Sequence, residues 1–294
     1  MARTIAFSGL KDGVGKTCLA SHIAYLLAHC SYKVLLIDAD YKQHELTRRM
    51  FGSNALLKIL EYEDVLYTTL RQILCKNLPD SFPFAELPLS LWKRNLDQNS
   101  GSLSIIPSYY RDPQPFWHQN FAISSFPGLS SVLAFAKNQY DFIIFDTIAN
   151  SDVFFEEILK HIDSVISLSS PYSYFYSASL EYIEHFSLEN QQHSRILFSL
   201  WENMSLDKKE KGTIPFCQDF FSFESKRPLH RKKFFWDIFS VEQNFTLSAK
   251  LWTISIVWLL QEILDNTQQS LSKKKMPSFL QSFTQSHPET DFLS

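Results

Sequence analysis

Glycine is scarce in this chain, with 7 residues among 294. Glycine is the residue that turns backbone through left-handed conformations without steric penalty. Three of the seven, Gly9, Gly13 and Gly15, crowd into one short stretch, which marks it as the place where backbone freedom matters most. Cysteine is equally sparing. Cys18, Cys30, Cys75 and Cys217 lie far apart with no C-x-x-C pair, a pattern of reduced thiols in a cytoplasmic protein rather than a disulfide framework or a zinc site. The 9 histidines show no metal-ligand spacing, and no Ser-His-Asp or Cys-His arrangement can be argued from the order of residues. Long apolar runs are missing too. Leu251–Leu260 is interrupted by Thr253 and Ser255 and reaches about half the ~20 residues a bilayer needs. The apolar run Thr4–Phe7 is too short for a secretory signal. A net charge of −3 supplies no global pull toward nucleic acid, so any such binding must come from a local patch. These absences describe a soluble cytoplasmic protein.

Against them stand 45% hydrophobic residues and as many as 26 phenylalanines, enough for a sizeable core. Thr4–Ser8 reads as a short strand ending at Gly9. Leu19, Ile23, Leu26 and Leu27 follow with helical spacing, and Lys33–Ile37 is a continuous apolar run closed by Asp38-Ala39-Asp40. The first forty residues are therefore strand, loop, helix, strand, with the second strand buried on both faces. Further along, the pattern predicts helices over Glu45–Phe51 and Tyr62–Cys75, a Pro-rich connection over Leu78–Pro88, and a strand at Leu103–Pro107 leading into a Pro- and aromatic-rich loop. Helix over Ser130–Asn138, strand over Asp141–Phe145 ending in Asp146, and helix over Phe154–His161 come next. A strand at Ser164–Leu168, a helix at Tyr176–Phe186, a strand at Arg195–Leu200, a short extended Gly212–Pro215 and an amphipathic helix Leu247–Leu264 complete the series. This alternation argues for one α/β domain over residues 1–264, a doubly wound, mostly parallel sheet flanked by helices. Residues 265–294 turn to Ser, Gln, Lys and Thr and read as a flexible tail.

Three apolar strands end in phosphate-binding or acidic residues, at the sheet edge where ligands sit in open α/β folds. At the first, Gly13 and Gly15 let backbone N–H groups turn inward on phosphates, and the next helix presents its positive end. Lys16 would reach the β- and γ-phosphates and the Thr17 hydroxyl would ligate Mg²⁺. At the second, Asp38 and Asp40 stand two residues apart, and at the third Asp146 has the position of a carboxylate that holds the metal through water. The ligand this implies is ATP with Mg²⁺. Leu10 stands where the general phosphate-loop pattern begins with glycine.

Lys11-Asp12-Gly13-Val14-Gly15-Lys16-Thr17-Cys18 resembles the deviant Walker A motif, K-G-G-V-G-K-T, of the ParA/MinD family of ATPases. Leu35-Leu-Ile-Asp38-Ala-Asp40 looks like that family's second acidic motif and Tyr140–Thr147 like its Walker B strand. Gly212–Pro215, followed by Arg227-Pro228-Leu229, is similar to the segment near its adenine pocket. The resemblance implies a P-loop NTPase fold, an ATP-dependent homodimer and slow hydrolysis stimulated by a partner protein. It makes Lys11 the residue that crosses to the partner's phosphates, Asp40 the one that positions the attacking water, and Asp38 a support for the magnesium shell. Asn203 falls where an adenine-reading asparagine is expected, with Pro215 beside it. The biological role implied is the partitioning or positioning of DNA or another cargo. Two other readings stay open, a scaffold with little hydrolysis and a membrane-associated positioning ATPase of the MinD type.

Departures from the family pattern are specific. Asp12 replaces a glycine and sets a negative charge beside a triphosphate, Cys18 replaces a threonine, and Ile148-Ala149-Asn150 replaces Pro-Pro-Gly. The densest positive cluster, Lys226, Arg227, His230, Arg231, Lys232 and Lys233, could contact nonspecific DNA through its phosphates, though such runs are often only a solvated surface. Lys273–Lys275 with Met276, Phe279, Leu280 and Phe283 offers few apolar anchors, so an ordinary tail is favoured over a membrane-surface helix.

Overall fold

The computed structural model describes residues 2–51, 67–79, 81–93, 101–111, 125–149, 152–169, 177, 178, 181, 194–201, 213–215, 255–257, 259, 260, 263 and 264. Strand β1 (Arg3–Ser8) leads through a glycine loop into α1 (Lys16–His29), and β2 (Lys33–Asp38) follows. After them come α2 (Glu45–Phe51), β3 (Tyr67–Thr69), α3 (Leu70–Leu74), a single 3₁₀ turn at Phe84–Glu86, β4 (Leu89–Lys93), β5 (Ser102–Ile106) and β6 (Tyr109–Arg111). The chain continues through α4 (Pro127–Gln139), β7 (Phe142–Asp146), α5 (Val153–Leu159), β8 (Ser164–Ser169), β9 (Ser194–Trp201) and β10 (Thr213–Pro215).

Eight strands form one sheet in the order β10-β9-β8-β1-β7-β2-β5-β4, parallel except where β4 pairs antiparallel with β5. Side chains alternate across a strand, and the alternation sorts the core into two layers. Ile5, Phe7, Val34, Leu36, Leu103, Ile105, Phe142 and Ile144 pack beneath α1, while Ala6, Leu35, Ile37, Ile143 and Phe145 pack on the other face with residues of α3, α4 and α5. Covered on both faces, the central strands carry apolar residues at most positions, which is why β2 and β7 read as nearly unbroken runs. Helix α1 is itself buried along all 14 residues. The same core takes in Ile256, Val257, Leu259, Leu260, Ile263 and Leu264, helical residues within the expected Leu247–Leu264 span.

The fold class, a doubly wound and mostly parallel sheet of P-loop NTPase type flanked by helices, is as the sequence indicates. One element differs. Of the helix expected over Tyr62–Cys75, residues 62–66 lie outside the described residues, Leu70–Leu74 is helical, and Tyr67–Thr69 is instead a strand that pairs antiparallel with Tyr109–Arg111 in a separate ribbon. Thr68 and Thr69 are β-branched and suit that strand better than a helix. Strand β4 is an addition at the sheet edge, with a register shift between Ser90 and Trp92 of the kind that blunts edge strands. Of the expected helix Tyr176–Phe186, residues 177, 178 and 181 are helical and the rest lie outside the described residues. The proposed tail, residues 265–294, lies outside them as well.

Candidate nucleotide site

The three strand ends meet because β7 runs between the other two. Phe7 of β1 pairs with Asp146 on one side, and Asp38 of β2 pairs with Asp146 on the other. Residues more than a hundred positions apart thereby share one edge of the sheet, next to the loop that leaves β1. The chain turns from β1 one way to β7 and β2 and the other way to β8, so the loop sits at a reversal of strand order.

Gly9 opens the loop, and a Cβ there would stand 2.5 Å from the Leu168 carbonyl oxygen of β8. Gly13 (φ 77°) and Gly15 (φ 94°) hold left-handed backbone that side chains resist. Gly15 is also the N-cap of α1, with no side-chain cap and no acidic residue in the first turn. The helix therefore offers its N–H groups and its positive end to an anion. Val14 is buried under the loop, and Lys11, Asp12 and Gly13 are exposed. The Lys16 ammonium, on a side chain almost wholly buried, donates to the Lys11 carbonyl oxygen at 3.3 Å and lies 4.0 Å from Asp12 Oδ1. The Asp12 carboxylate is 63% exposed, so it faces solvent and still reaches Lys16. Cys18 is buried, its thiol 3.6 Å from His22 Nδ1.

Asp38 is fully buried. Its Oδ2 accepts from the Thr47 amide (2.8 Å) and hydroxyl (2.5 Å), and its Oδ1 accepts from the Asp40 amide (3.2 Å). Burial nevertheless pushes its carboxyl up to about 7, with Asp40 adding to the rise and Thr47 and Ser108 opposing it. Asp40 lies just past the strand, where its Oδ1 accepts the amides of Lys42 (3.0 Å) and Gln43 (2.9 Å), which fixes the carboxylate at the mouth of the site. Asp146 is fully buried and neither carboxylate oxygen has a hydrogen-bond partner. Burial first, and the neighbouring Asp38 second, hold it well above the usual carboxylate range; Thr17 and Lys16 draw it back. A buried carboxylate facing a threonine hydroxyl, with no protein donor completing a bond to either oxygen, is a group that calls for a cation or its water shell. Among the described residues, no cluster of three His, Cys, Asp or Glu side chains could hold a metal alone.

Sequence reasoning placed Lys11, Asp12, Gly13, Val14, Gly15, Lys16, Thr17, Cys18, Asp38, Asp40 and Asp146, and the structure gathers all of them at this edge. Pro215 ends β10, at one edge of the sheet among the described residues, where a residue without N–H is tolerated. Asn203 and the basic residues Lys226, Arg227, Arg231, Lys232 and Lys233 lie outside the described residues. Missed were the groups that hold the acids in place. Thr47 opens the first turns of α2, and Ser108 follows β5, donating its amide to Thr47 Oγ1 (3.1 Å) and bonding His44 Nδ1 (2.7 Å). Only position would have betrayed them, since isolated hydroxyls carry no motif.

A parallel sheet with a glycine-turned loop, a buried lysine at a helix start and acids on the adjoining strand ends defines a P-loop NTPase. Residues 2–193 match the AAA_31 family, described as an AAA domain, and the chain belongs to this ParA/MinD-like family as a divergent member. A relative, uncharacterized protein MJECL24 of Methanocaldococcus jannaschii, is 29% identical over 180 residues, 60% of this chain. The aligned part spans 62% of that relative's length. Among solved structures, pNOB8 ParA superposes with a TM-score of 0.64 at 16% identity, covering 91% of this chain and 99% of that one. A putative plasmid partition protein from Borrelia burgdorferi bound to AMPPNP gives 0.56 at 19%, covering 90% and 100%. Septum site-determining protein MinD from Pyrococcus horikoshii, complexed with Mg-ADP, gives 0.56 at 16%, covering 93% and 100%. At these identities the solved structures establish the shared fold.

Proposed function

We propose that this protein is an ATP-dependent dimerising switch that hydrolyses ATP slowly and partitions or positions DNA or another cargo. The observation that carries the reading is Asp146, a fully buried carboxylate without a hydrogen-bond partner beside Thr17 and beneath an uncapped helix start. Nucleotide phosphates would be held by loop amides from Gly13 to Thr17 and by Lys16, with the Thr17 hydroxyl on Mg²⁺ and Asp38 and Asp146 behind its waters. Bound magnesium would supply the charge that neutralises the phosphates and these two acids. Asp40, oriented by two backbone amides, would accept a hydrogen bond from the attacking water. Lys11, exposed on the loop, would reach the phosphates held by a second copy. Residues 1–264 would form the ATPase domain, with Asn203 and Pro215 toward the adenine, and 265–294 a tail.

Support for DNA as cargo comes from the basic cluster Lys226–Lys233 and from the structural neighbour pNOB8 ParA, which has also been solved bound to nonspecific DNA. The same reading expects a stimulating partner protein and a cytoplasmic location; among the described residues no helix is long and apolar enough to cross a membrane. One observation favours the alternative of a scaffold with little hydrolysis: Asp12 sits within 4.0 Å of the Lys16 ammonium that should serve phosphate.

The test is DNA binding at several salt concentrations with and without ATP, alongside sedimentation to count chains. The reading expects a dimer and a steep salt slope only with ATP, both lost in Lys16→Ala. Binding of equal strength and slope with and without ATP would remove DNA from the account. An ATP-dependent dimer that releases no phosphate would favour the scaffold.

A further inference from the structure

Tyr41 follows Asp40 directly and ties the Asp40 loop to a part of the chain more than a hundred residues away. Its hydroxyl donates to Asp152 Oδ2 at 2.6 Å. The other oxygen of the same carboxylate, Oδ1, accepts the Phe155 amide at 2.8 Å and so caps the N-terminus of α5. One acid thus serves two elements at once, the helix that follows the Asp146 strand and the loop that carries Asp40. The Tyr41 ring is gripped from its face as well. The Arg71 guanidinium of α3 stacks over it at 4.4 Å and also lies 5.8 Å from the Phe126 ring. Phe154 of α5 packs against Tyr41 at 6.4 Å between ring centroids. Burial, together with the bond to Asp152, pushes the phenol up to about 12, so it remains a donor throughout the physiological range. On its other side the loop closes on Asp40 itself, whose Oδ1 takes the amides of the two residues after Tyr41.

We propose that Tyr41 is a positioning residue that locks the orientation of the Asp40 carboxylate to the capped start of α5, so that the two sides of the nucleotide site move as one. Mechanically, Asp40 is held by the backbone that flanks Tyr41, and Tyr41 is held by the cap of the helix after Asp146. A ligand-driven shift at the end of β7 would pass to the Asp40 loop through the Tyr41–Asp152 hydrogen bond and the Phe154 ring contact. Tyr41 acts through Asp40, whose carboxylate is held by the backbone amides that follow it. The inference rests on the nucleotide-hydrolysing reading above for its kinetic consequence, but the latch itself has a readout that needs no turnover.

The test uses Tyr41→Phe, which keeps the ring and its stacking and removes only the hydroxyl, and Asp152→Asn, which keeps an acceptor for the Phe155 amide. Hydrogen–deuterium exchange of the full-length protein reads the latch directly. Exchange at the Phe155 and Glu156 amides should rise several-fold in Tyr41→Phe without nucleotide, while the melting temperature stays near wild type. With MgATP, wild type should gain protection in residues 152–159 and 40–44 together, and the variant only in the phosphate loop. Turnover should drop about tenfold at unchanged ATP affinity, a fall in kcat without a change in KM. Wild-type exchange in Tyr41→Phe, in both the free and the ATP-loaded protein, overturns the latch whatever the kinetics. Wild-type turnover in the variant, from an enzyme whose activity disappears in Lys16→Ala, overturns the positioning role. If wild type itself neither binds nor hydrolyses ATP, the functional reading has failed while the exchange arm still decides the latch.

Discussion

Replacing Asp38 by asparagine should make the nucleotide-free protein more stable at neutral and alkaline pH while removing its response to MgATP. The reason lies in where the carboxylate sits. Asp38 is fully buried and its carboxyl is pushed up to about 7 from an ordinary value of 3.8. The folded state therefore holds a proton over a range in which the unfolded chain has released it. A group whose folded pKa is raised contributes stability that is fully present below the unfolded value and lost as pH rises through the folded one. A rise of about three units corresponds to roughly 4 kcal/mol across the window from about pH 4 to pH 7, an upper limit because Asp146 titrates in the same site. Asparagine can still accept the Thr47 amide, and it carries no charge to bury. Urea denaturation of both proteins between pH 4 and 8 isolates the effect, because other titrating groups cancel in the difference. The gap between the curves should widen in favour of Asp38→Asn by about 2–4 kcal/mol toward pH 8. Saturating MgATP should then stabilise wild type and leave the variant little changed. Parallel curves across the whole range would refute the claim that burial raises the Asp38 carboxyl in the folded protein.

Asp12→Gly removes the carboxylate that competes for Lys16, so ATP affinity should rise about three- to tenfold at low salt and less at high salt, read by titration at two ionic strengths. Gly9→Ala should lose about 1–3 kcal/mol in urea because the new methyl meets the Leu168 carbonyl at 2.5 Å and a strand backbone cannot step aside. At Gly13→Ala nothing lies within 4 Å of the new methyl, so its cost of about 1–2 kcal/mol comes from the left-handed backbone alone and should fall mainly on nucleotide binding.

How much of this was legible beforehand follows from what each element asks of its sequence. β1, β2, β7 and β8 sit between two helical layers, so their apolar runs announce themselves, and α1 shows its period even though its whole surface is buried. β4 did not announce itself. An edge strand reading Leu-Ser-Leu-Trp-Lys after two prolines needs burial on one side only and carries a weak pattern. β3 was hidden inside a stretch that reads as helix, because three residues are too few to show a period of two. The phosphate loop was readable because its chemistry demands particular residues at fixed spacing. The neighbours that aim it were not, since Thr47, Ser108, Tyr41 and Asp152 are ordinary polar residues made relevant only by folding.

Whether Lys11–Thr17 holds the phosphates of a magnesium nucleotide is decided by calorimetric titration with ATP. Wild type should bind one ATP per chain in the presence of Mg²⁺ and much more weakly in EDTA, and Lys16→Ala should show no saturable heat while retaining its fold. Binding by Lys16→Ala as tight as that of wild type would contradict the account.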